Sequence, residues 1–227
     1  MRERLTPPTE DCLKAIYALS GDARANTLEI AAALGISGAS VTAMLKRLSE
    51  LKLIDYQPYQ GAVLTEAGAR VALEIVRHHR LLETYLHQAL GVPLEALHAE
   101  ADRLEHHISE DLEARIFAAL GEPTHDPHGD PIPSLDGVVP SVATRPLAET
   151  SAGETLRVGR VASQDAVLLK HLSSLGIVPG ALLEVAALDP LSGVVRLLMG
   201  EQELTLGLEV ARRVWVEAVA SSSTVIV

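Results

Sequence analysis

The sequence predicts a multi-domain chain, mainly α with a small β-barrel: an amino-terminal winged helix-turn-helix, a helical second domain and a carboxy-terminal barrel. Three observations predict it. Two short helical patterns flank a tight Gly-containing turn near residue 35. Leucines recur at helical intervals from Val71 to Leu120. Beyond residue 153 the texture changes to short Val/Leu runs separated by Gly and Pro.

Taken in order, "PTEDCLKAIYALS" (8–20) sets Leu13, Ile16, Tyr17 and Leu19 at helical spacing behind a capping start. "NTLEIAAALGIS" gives a short helix ending in a Gly turn, and "SGASVTAMLKRLSELKLI" a longer one with Val41, Met44, Leu45 and Leu48 on one face. That pair has the helix-turn-helix pattern. "DYQPYQGAVLTEAG", with Pro58 and Gly61 between Tyr56, Tyr59, Val63 and Leu64, reads as a β-hairpin wing returning to helix at Thr65. Helices follow from Val71 to about Leu90 and from Pro93 to Leu120, broken by "GVP". "GEPTHDPHGDPIPSLDG" is too rich in Pro and Gly to be helical, and "SVATRPLAETSAGE" reads as a linker. "LGIVPGALLEVAAL", "SGVVRLLMGEQELTL" and "ARRVWVEAV" supply the strands of the barrel, with the lone Trp215 expected in its core.

Composition narrows the function. No apolar run reaches the roughly 18 residues of a membrane span, and "MRERLTPPTED" lacks the apolar core of a secretory signal, so a cytoplasmic protein without membrane partners is expected. The single cysteine, Cys12, excludes a disulfide framework within the chain and a cysteine-rich zinc site. The net charge of −11 is unevenly spread: Lys/Arg against Asp/Glu is eight to nine over 1–75, four to twelve over 76–140 and seven to nine over 141–227. The near-neutral amino-terminal part is thus free to meet DNA. The acidic middle holds eight of the nine histidines, a setting in which divalent cations would offset the charge.

On a helix, residues three and four apart share a face, which makes His79 and Glu83 neighbours and places His98, Asp102, Glu105 and His106 in one stripe. Leu97, Ala101, Leu104 and Ile108 mark the adjoining face that packs. An amphipathic surface carries such residues too, with pairs such as His79–Glu83 contributing roughly 0.2–0.5 kcal/mol. As a set they point to a metal held by oxygen and nitrogen. His78, His87 and His107 lie off the stripes and read as surface residues. His125 and His128, in a loop, are assigned no role.

The helix-turn-helix followed by "RHHRLLETYL", "LHAEADRLEHHIS" and "DPHGDPIPSLDG" resembles the diphtheria toxin repressor family of metal-dependent transcriptional regulators, with its manganese-responsive branch. "LGIVPG" is similar to the SH3-like (FeoA-like) domain that many members append. The resemblance covers nearly the whole chain. It implies a winged helix-turn-helix domain at 1–75, a helical dimerisation and metal-binding domain at 76–140, a linker at 141–152 and an SH3-like domain at 153–227. It also implies a homodimeric repressor of metal homeostasis that binds a palindromic operator in double-stranded DNA, with no small-molecule substrate.

Carried over by motif, the primary metal site would be Asp11, Asp102, Glu105 and His106, and the ancillary site His79, Glu83 and His98, completed by Asp165 or Gln164 of "VASQDAV". Asp11 and Asp102 stand where the iron-responsive branch has methionine and cysteine. This harder donor set favours Mn(II), bound between the DNA-binding and dimerisation domains. Fe(II) is the alternative activator, and other divalent transition metals are expected to substitute in vitro. Short two-domain manganese regulators place an acid one turn after the first aspartate. Here that position is Lys14, so two separated sites are expected rather than a bridged pair.

In the second helix of the helix-turn-helix, Ser37, Ala39, Ser40 and Thr42 suit thymine methyl and phosphate contacts, and Lys46 and Arg47 reach phosphates. Ser37 is also read as an N-cap, and Lys46 and Arg47 as solvated surface. Tyr59 is open between a DNA-backbone contact and core packing. A divalent-metal hydrolase is the rival reading from another class. The sequence has no Gly-rich nucleotide loop, nucleophile elbow or H-E-x-x-H pattern, and no enzyme is expected.

Overall fold

Helix α1 (Pro7–Ser20) begins with proline in its first turn, where the backbone N–H groups have no partner within the helix and a missing donor costs little. Cys12, Leu13 and Ile16 form its fully buried face. Helix α2 (Thr27–Leu34) starts with a reciprocal capping box between Asn26 and Glu29 and ends at Gly35 in the left-handed region. Helix α3 (Gly38–Glu50) is capped by Ser37, whose Oγ accepts from Ser40 N–H at 3.2 Å. Its buried face is Val41, Leu45 and Leu48, with Met44 only partly buried. Strands β1 (Ile54–Gln57) and β2 (Gly61–Leu64) form an antiparallel hairpin. Gly61 has φ 99°, and a Cβ there would lie 2.3 Å from the Ala25 carbonyl oxygen, so the bridge between Ala25 and Ala62 requires glycine. Helices α4 (Glu66–Leu90), α5 (Leu94–Leu104) and α6 (Glu110–Ala119) follow.

The computed structural model describes residues 5–21, 23–141 and 144–219. The ends of the expected domains (1–4 and 220–227) and residues 142–143 of the expected linker lie outside them. The chain divides into two units, one of residues 1–82, 101–122 and 132–139 and the other of 83–100, 123–131 and 140–227. The core of the first gathers apolar residues of α1, α2, α3, the hairpin and the start of α4. In the same unit Glu113 of α6 accepts from Arg77 Nε at 2.5 Å and His78 Nε2 at 2.9 Å, while Arg77 donates to the Pro133 carbonyl at 2.7 Å. His78 is fully buried, contrary to its expected surface position, because this acid gives its ring a partner inside.

In the second unit, β3 (Arg145–Pro146), β4 (Thr155–Val161), β5 (Leu182–Asp189), β6 (Val194–Met199), β7 (Gln202–Gly207) and β8 (Val214–Ala218) form one antiparallel sheet in the order β3-β8-β4-β5-β6-β7. Irregularities after Val158 and Val185 bend β4 and β5 around a shared apolar core. Helices α7 (Ala166–Ser174) and the four-residue α8 (Leu208–Ala211) also belong to this unit, as do the end of α4 and most of α5.

Four expectations need correction. The stretch expected as a linker is partly structural: Arg145–Pro146 pair with β8, and Leu147 is fully buried in the sheet core. The helix expected to run on to Leu120 breaks after Leu104, and Leu104 itself is 40% exposed rather than packed. Residues 166–174, inside the region expected to form a barrel, are helical because Asp165 caps them and Leu169 and Leu172 fall on one buried face. Trp215 lies on the half-exposed face of β8 beneath the Arg160 guanidinium, and Val214 and Val216 fill the core instead.

Candidate metal centre

Helix α1 turns Cys12 and Leu13 into the core and brings Glu10, Asp11 and Lys14 to a different face. Burial, and then Asp11, push the Cys12 thiol up to about 12, so it offers no thiolate to a metal. In the same unit Asp102 sits on the last turn of α5, and Glu105 and His106 in the turn that ends it, where Glu105 N–H still bonds the Ala101 carbonyl. Just past the end of α5, His106 meets Glu10 and Asp11 of α1.

His106 is held at both ring nitrogens. Nδ1 donates to Glu10 Oε2 at 2.7 Å, and Nε2 lies 3.0 Å from Asp11 Oδ1 and 3.6 Å from Glu105 Oε1. The hydrogen bonds to Asp11 and Glu10 raise its pKa from the usual 6.5 to about 9 against the opposing effect of burial. A histidine whose outer nitrogen is fixed by a carboxylate presents the other nitrogen in one tautomer, as metal-bound histidines do. Asp11, Glu105 and His106 each direct a ligand atom to within 4.8 Å of the others. An oxygen, oxygen and imidazole set of this kind fits a divalent ion such as Mn(II) or Fe(II). Glu10 escaped the sequence reading, although it neighbours Asp11 and is 4% exposed.

Asp102 and His79 have another neighbour. Lys14 Nζ donates to Asp102 Oδ1 at 2.8 Å and to Glu105 Oε1 and Oε2 at 2.8 and 2.9 Å, and stands 3.4 Å from His79 Nδ1. His79 Nδ1 in turn lies 2.5 Å from Glu105 Oε2. Burial opposes the charge on Lys14, but Glu105 and Asp102 outweigh it and raise its pKa. His79, Asp102 and Glu105 also form a group with metal-ligand spacing.

The expected ancillary residues are divided between the units, His79 in the first and Glu83 and His98 in the second. Within the second unit, Glu83 Oε1 is 3.4 Å from His98 Nδ1 and Glu83 Oε2 is 3.6 Å from His128 Nδ1. His128 Nε2 lies 3.2 Å from the Leu94 carbonyl, which leaves Nδ1 facing Glu83. Asp126 Oδ1 accepts from His128 and Asp130 N–H, and Glu83, Asp126 and His128 form a buried group with metal-ligand spacing. Burial lowers the His128 pKa, but the hydrogen bond and charge of Glu83, with Asp126, raise it overall. The loop is seated against β4: Gly129 has φ 86°, and a Cβ on it would meet the Gly159 carbonyl oxygen at 2.0 Å. His128 and Asp126 carried no periodicity by which the sequence reading could place them.

Asp165 does not join these groups. Its Oδ1 accepts from Val167 and Leu168 N–H as the N-cap of α7, which accounts for an acid at that position.

On α3, Ala39, Ser40, Lys46 and Arg47 are exposed and Thr42 half-buried, opposite the Val41–Leu45–Leu48 face. Ser37 and Ser40 hydroxyls lie 2.9 Å apart, and Thr42 Oγ1 donates to the Gly38 carbonyl. Ala43, absent from the predicted set, is exposed on the same helix. Tyr59 stands fully exposed at the hairpin tip with φ 66° and packs in no core.

Residues 4–62 match the family described as iron dependent repressor, N-terminal DNA binding domain, and residues 65–134 the iron dependent repressor, metal binding and dimerisation domain. Residues 145–218 match the FeoA domain. The iron-dependent repressor IdeR of Mycobacterium tuberculosis (strain ATCC 25618 / H37Rv) is 35% identical over 95% of this chain and 99% of its own. The HTH-type transcriptional regulator MntR of Bacillus velezensis is 36% identical over 46% of this chain and 73% of its own. Among solved structures, a manganese-dependent transcriptional repressor in complex with manganese superposes with a TM-score of 0.86 at 35% identity, covering 93% of this chain and all of that one.

Proposed function

Because the chain belongs to the family of iron- and manganese-dependent transcriptional repressors, we propose that it is a Mn(II)-activated repressor of metal-homeostasis genes, acting in the cytoplasm as a homodimer on a palindromic operator and catalysing no reaction. Residues 1–75 serve as the DNA-binding part, 76–140 as the dimerising and metal-binding part, and 153–227 as the appended SH3-like domain.

The observation that carries the reading is the arrangement of His106, with Nδ1 fixed by Glu10 and Nε2 aimed between Asp11 and Glu105. Asp11 lies on the helix that packs beside α3, whereas Glu105 and His106 close α5. Asp11, Glu105 and His106 would hold a divalent ion, which would supply positive charge between the two carboxylates. Held there, Asp11 would restrain α1, and with it α3, towards the orientation in which paired recognition helices meet major grooves about 34 Å apart. Ala39, Ser40 and Thr42 approach bases, Ser37 caps the helix and approaches phosphate, and Lys46 and Arg47 reach the backbone. Glu83, Asp126 and His128 would hold a second ion, with His98 beside Glu83.

Fe(II) is the second reading, favoured by the likeness to the mycobacterial iron-dependent repressor. The donors of the Asp11 group, all carboxylate and imidazole, favour Mn(II).

The test is capture of sheared genomic DNA by the purified protein with Mn(II), with anaerobic Fe(II) and with a chelator. Discrete fragments held with Mn(II) and released by the chelator are expected, and Asp11→Ala should abolish that retention. No enrichment under any condition, or full metal-dependent retention by Asp11→Ala, overturns the proposal.

A further inference from the structure

Two cation positions meet at Glu105. Asp11, Glu105 and His106 bound one, and His79, Asp102 and Glu105 the other. The second is already furnished with a positive charge from within the chain. Lys14 Nζ makes short contacts with three carboxylate oxygens, Asp102 Oδ1 and both oxygens of Glu105, which matches the three donors of an ammonium. Glu105 is fully buried and the Lys14 side chain is 21% exposed, so the two contacts to Glu105 are little screened by water, whereas Asp102, at 44%, is the more exposed partner.

We infer that Lys14 is a tethered monovalent cation that fills the second of two adjoining cation positions and limits the Asp11–Glu105–His106 group to a single divalent ion. A second divalent ion would have to expel the ammonium and share Glu105 with the first. Expulsion would forfeit three charge-assisted hydrogen bonds and leave a lysine stem to find another place. With Lys14 in position, Asp102 and His79 act as its partners, and Lys14 presents both oxygens of Glu105 in a fixed orientation before any metal arrives. Lys14 thereby sets the number of ions the site takes and, by like-charge repulsion, the concentration at which the first one binds.

The inference rests on the reading of the Asp11 group as a metal site. Its test uses the full-length protein with Mn(II) alone as the probe, counting ions per chain by native mass spectrometry and recording the Mn(II) electron paramagnetic resonance spectrum. DNA retention by the wild type is measured in parallel. The wild type should show only magnetically isolated Mn(II). Lys14→Glu should bind one more ion per chain, with the broadened signal of a spin-coupled pair. Lys14→Met, which removes the charge without adding a ligand, should bind its first ion roughly tenfold more tightly. It also serves as the test if Lys14→Glu fails to fold.

A coupled pair in the wild type overturns the inference. So does a Lys14→Glu protein with the wild-type ion count and spectrum, or a Lys14→Met protein with wild-type affinity. Metal-independent DNA retention with an ion count that still responds to position 14 sinks the repressor reading alone. Metal-dependent retention with a count indifferent to position 14 sinks the role of Lys14 alone.

Discussion

Metal binding at the Asp11 group should release a proton from His106, and this makes affinity steeply dependent on pH. The ring is held protonated up to about pH 9 by Asp11 first and Glu10 second, and an ion that takes Nε2 must displace that proton. At pH 7 the competition weakens apparent affinity by about 100-fold, close to 2.7 kcal/mol, for a folded-state pKa of about 9. Between pH 7 and 8.5 affinity should therefore rise roughly 25-fold, whereas an unshifted histidine would give a change of less than about 1.5-fold. The assay is anaerobic titration calorimetry with Mn(II) in buffers of different protonation enthalpy, on a Glu83→Gln background so that the Asp11 group alone reports. About one proton should leave per ion bound at pH 7. Glu10→Gln, which keeps an acceptor for Nδ1 but removes the charge, should flatten the profile. An affinity that changes less than about twofold between pH 7 and 8.5, or binding without proton release, would refute the reasoning. In the metal-free protein the linkage has the opposite sign. The raised pKa contributes stability that is present below pH 6.5 and is lost as pH rises through about 9.

Two further outcomes follow from the same contacts. Asp165→Ala should lower unfolding free energy by about 1 kcal/mol through loss of the α7 cap while leaving the Mn(II) count per chain unchanged; a fall in the count would make Asp165 a ligand after all. Glu113→Ala should cost about 3–5 kcal/mol in denaturant unfolding, because it strands the buried Arg77 guanidinium, and an unchanged midpoint would contradict that. Burial works against the Glu113 charge, but His78 and Arg77 pull its pKa below the ordinary carboxylate range. Its stabilisation should therefore persist above that range and disappear as pH falls through the lowered value.

Much of the architecture is local in origin and was legible for that reason. The Asn26–Glu29 box, the glycine at 35, the Val41–Leu45–Leu48 stripe and the alternating strand at Val214–Val216 depend on neighbours a few residues away, so their spacing carries the information. The resemblance groups Asp11, Asp102, Glu105 and His106; the structure brings ligand atoms of Asp11, Glu105 and His106 together and pairs Asp102 with Lys14. Other features were missed because the local signal was weak or misread. Asp165, which the resemblance offers with Gln164 as a ligand, caps the helix that follows it, and the break after Leu104 is a matter of one turn.

Which further residues join these clusters was decided by tertiary structure alone. Lys14 meets partners 88 and 91 residues away, Glu10 meets His106 across 96, and Glu83 and His128 converge from a helix and an aperiodic loop. Periodicity specifies which face of an element is apolar, but not which distant charge a polar face will meet. That depends on how close packing of the apolar faces orients the elements, and a single ammonium between Asp102 and Glu105 is the result.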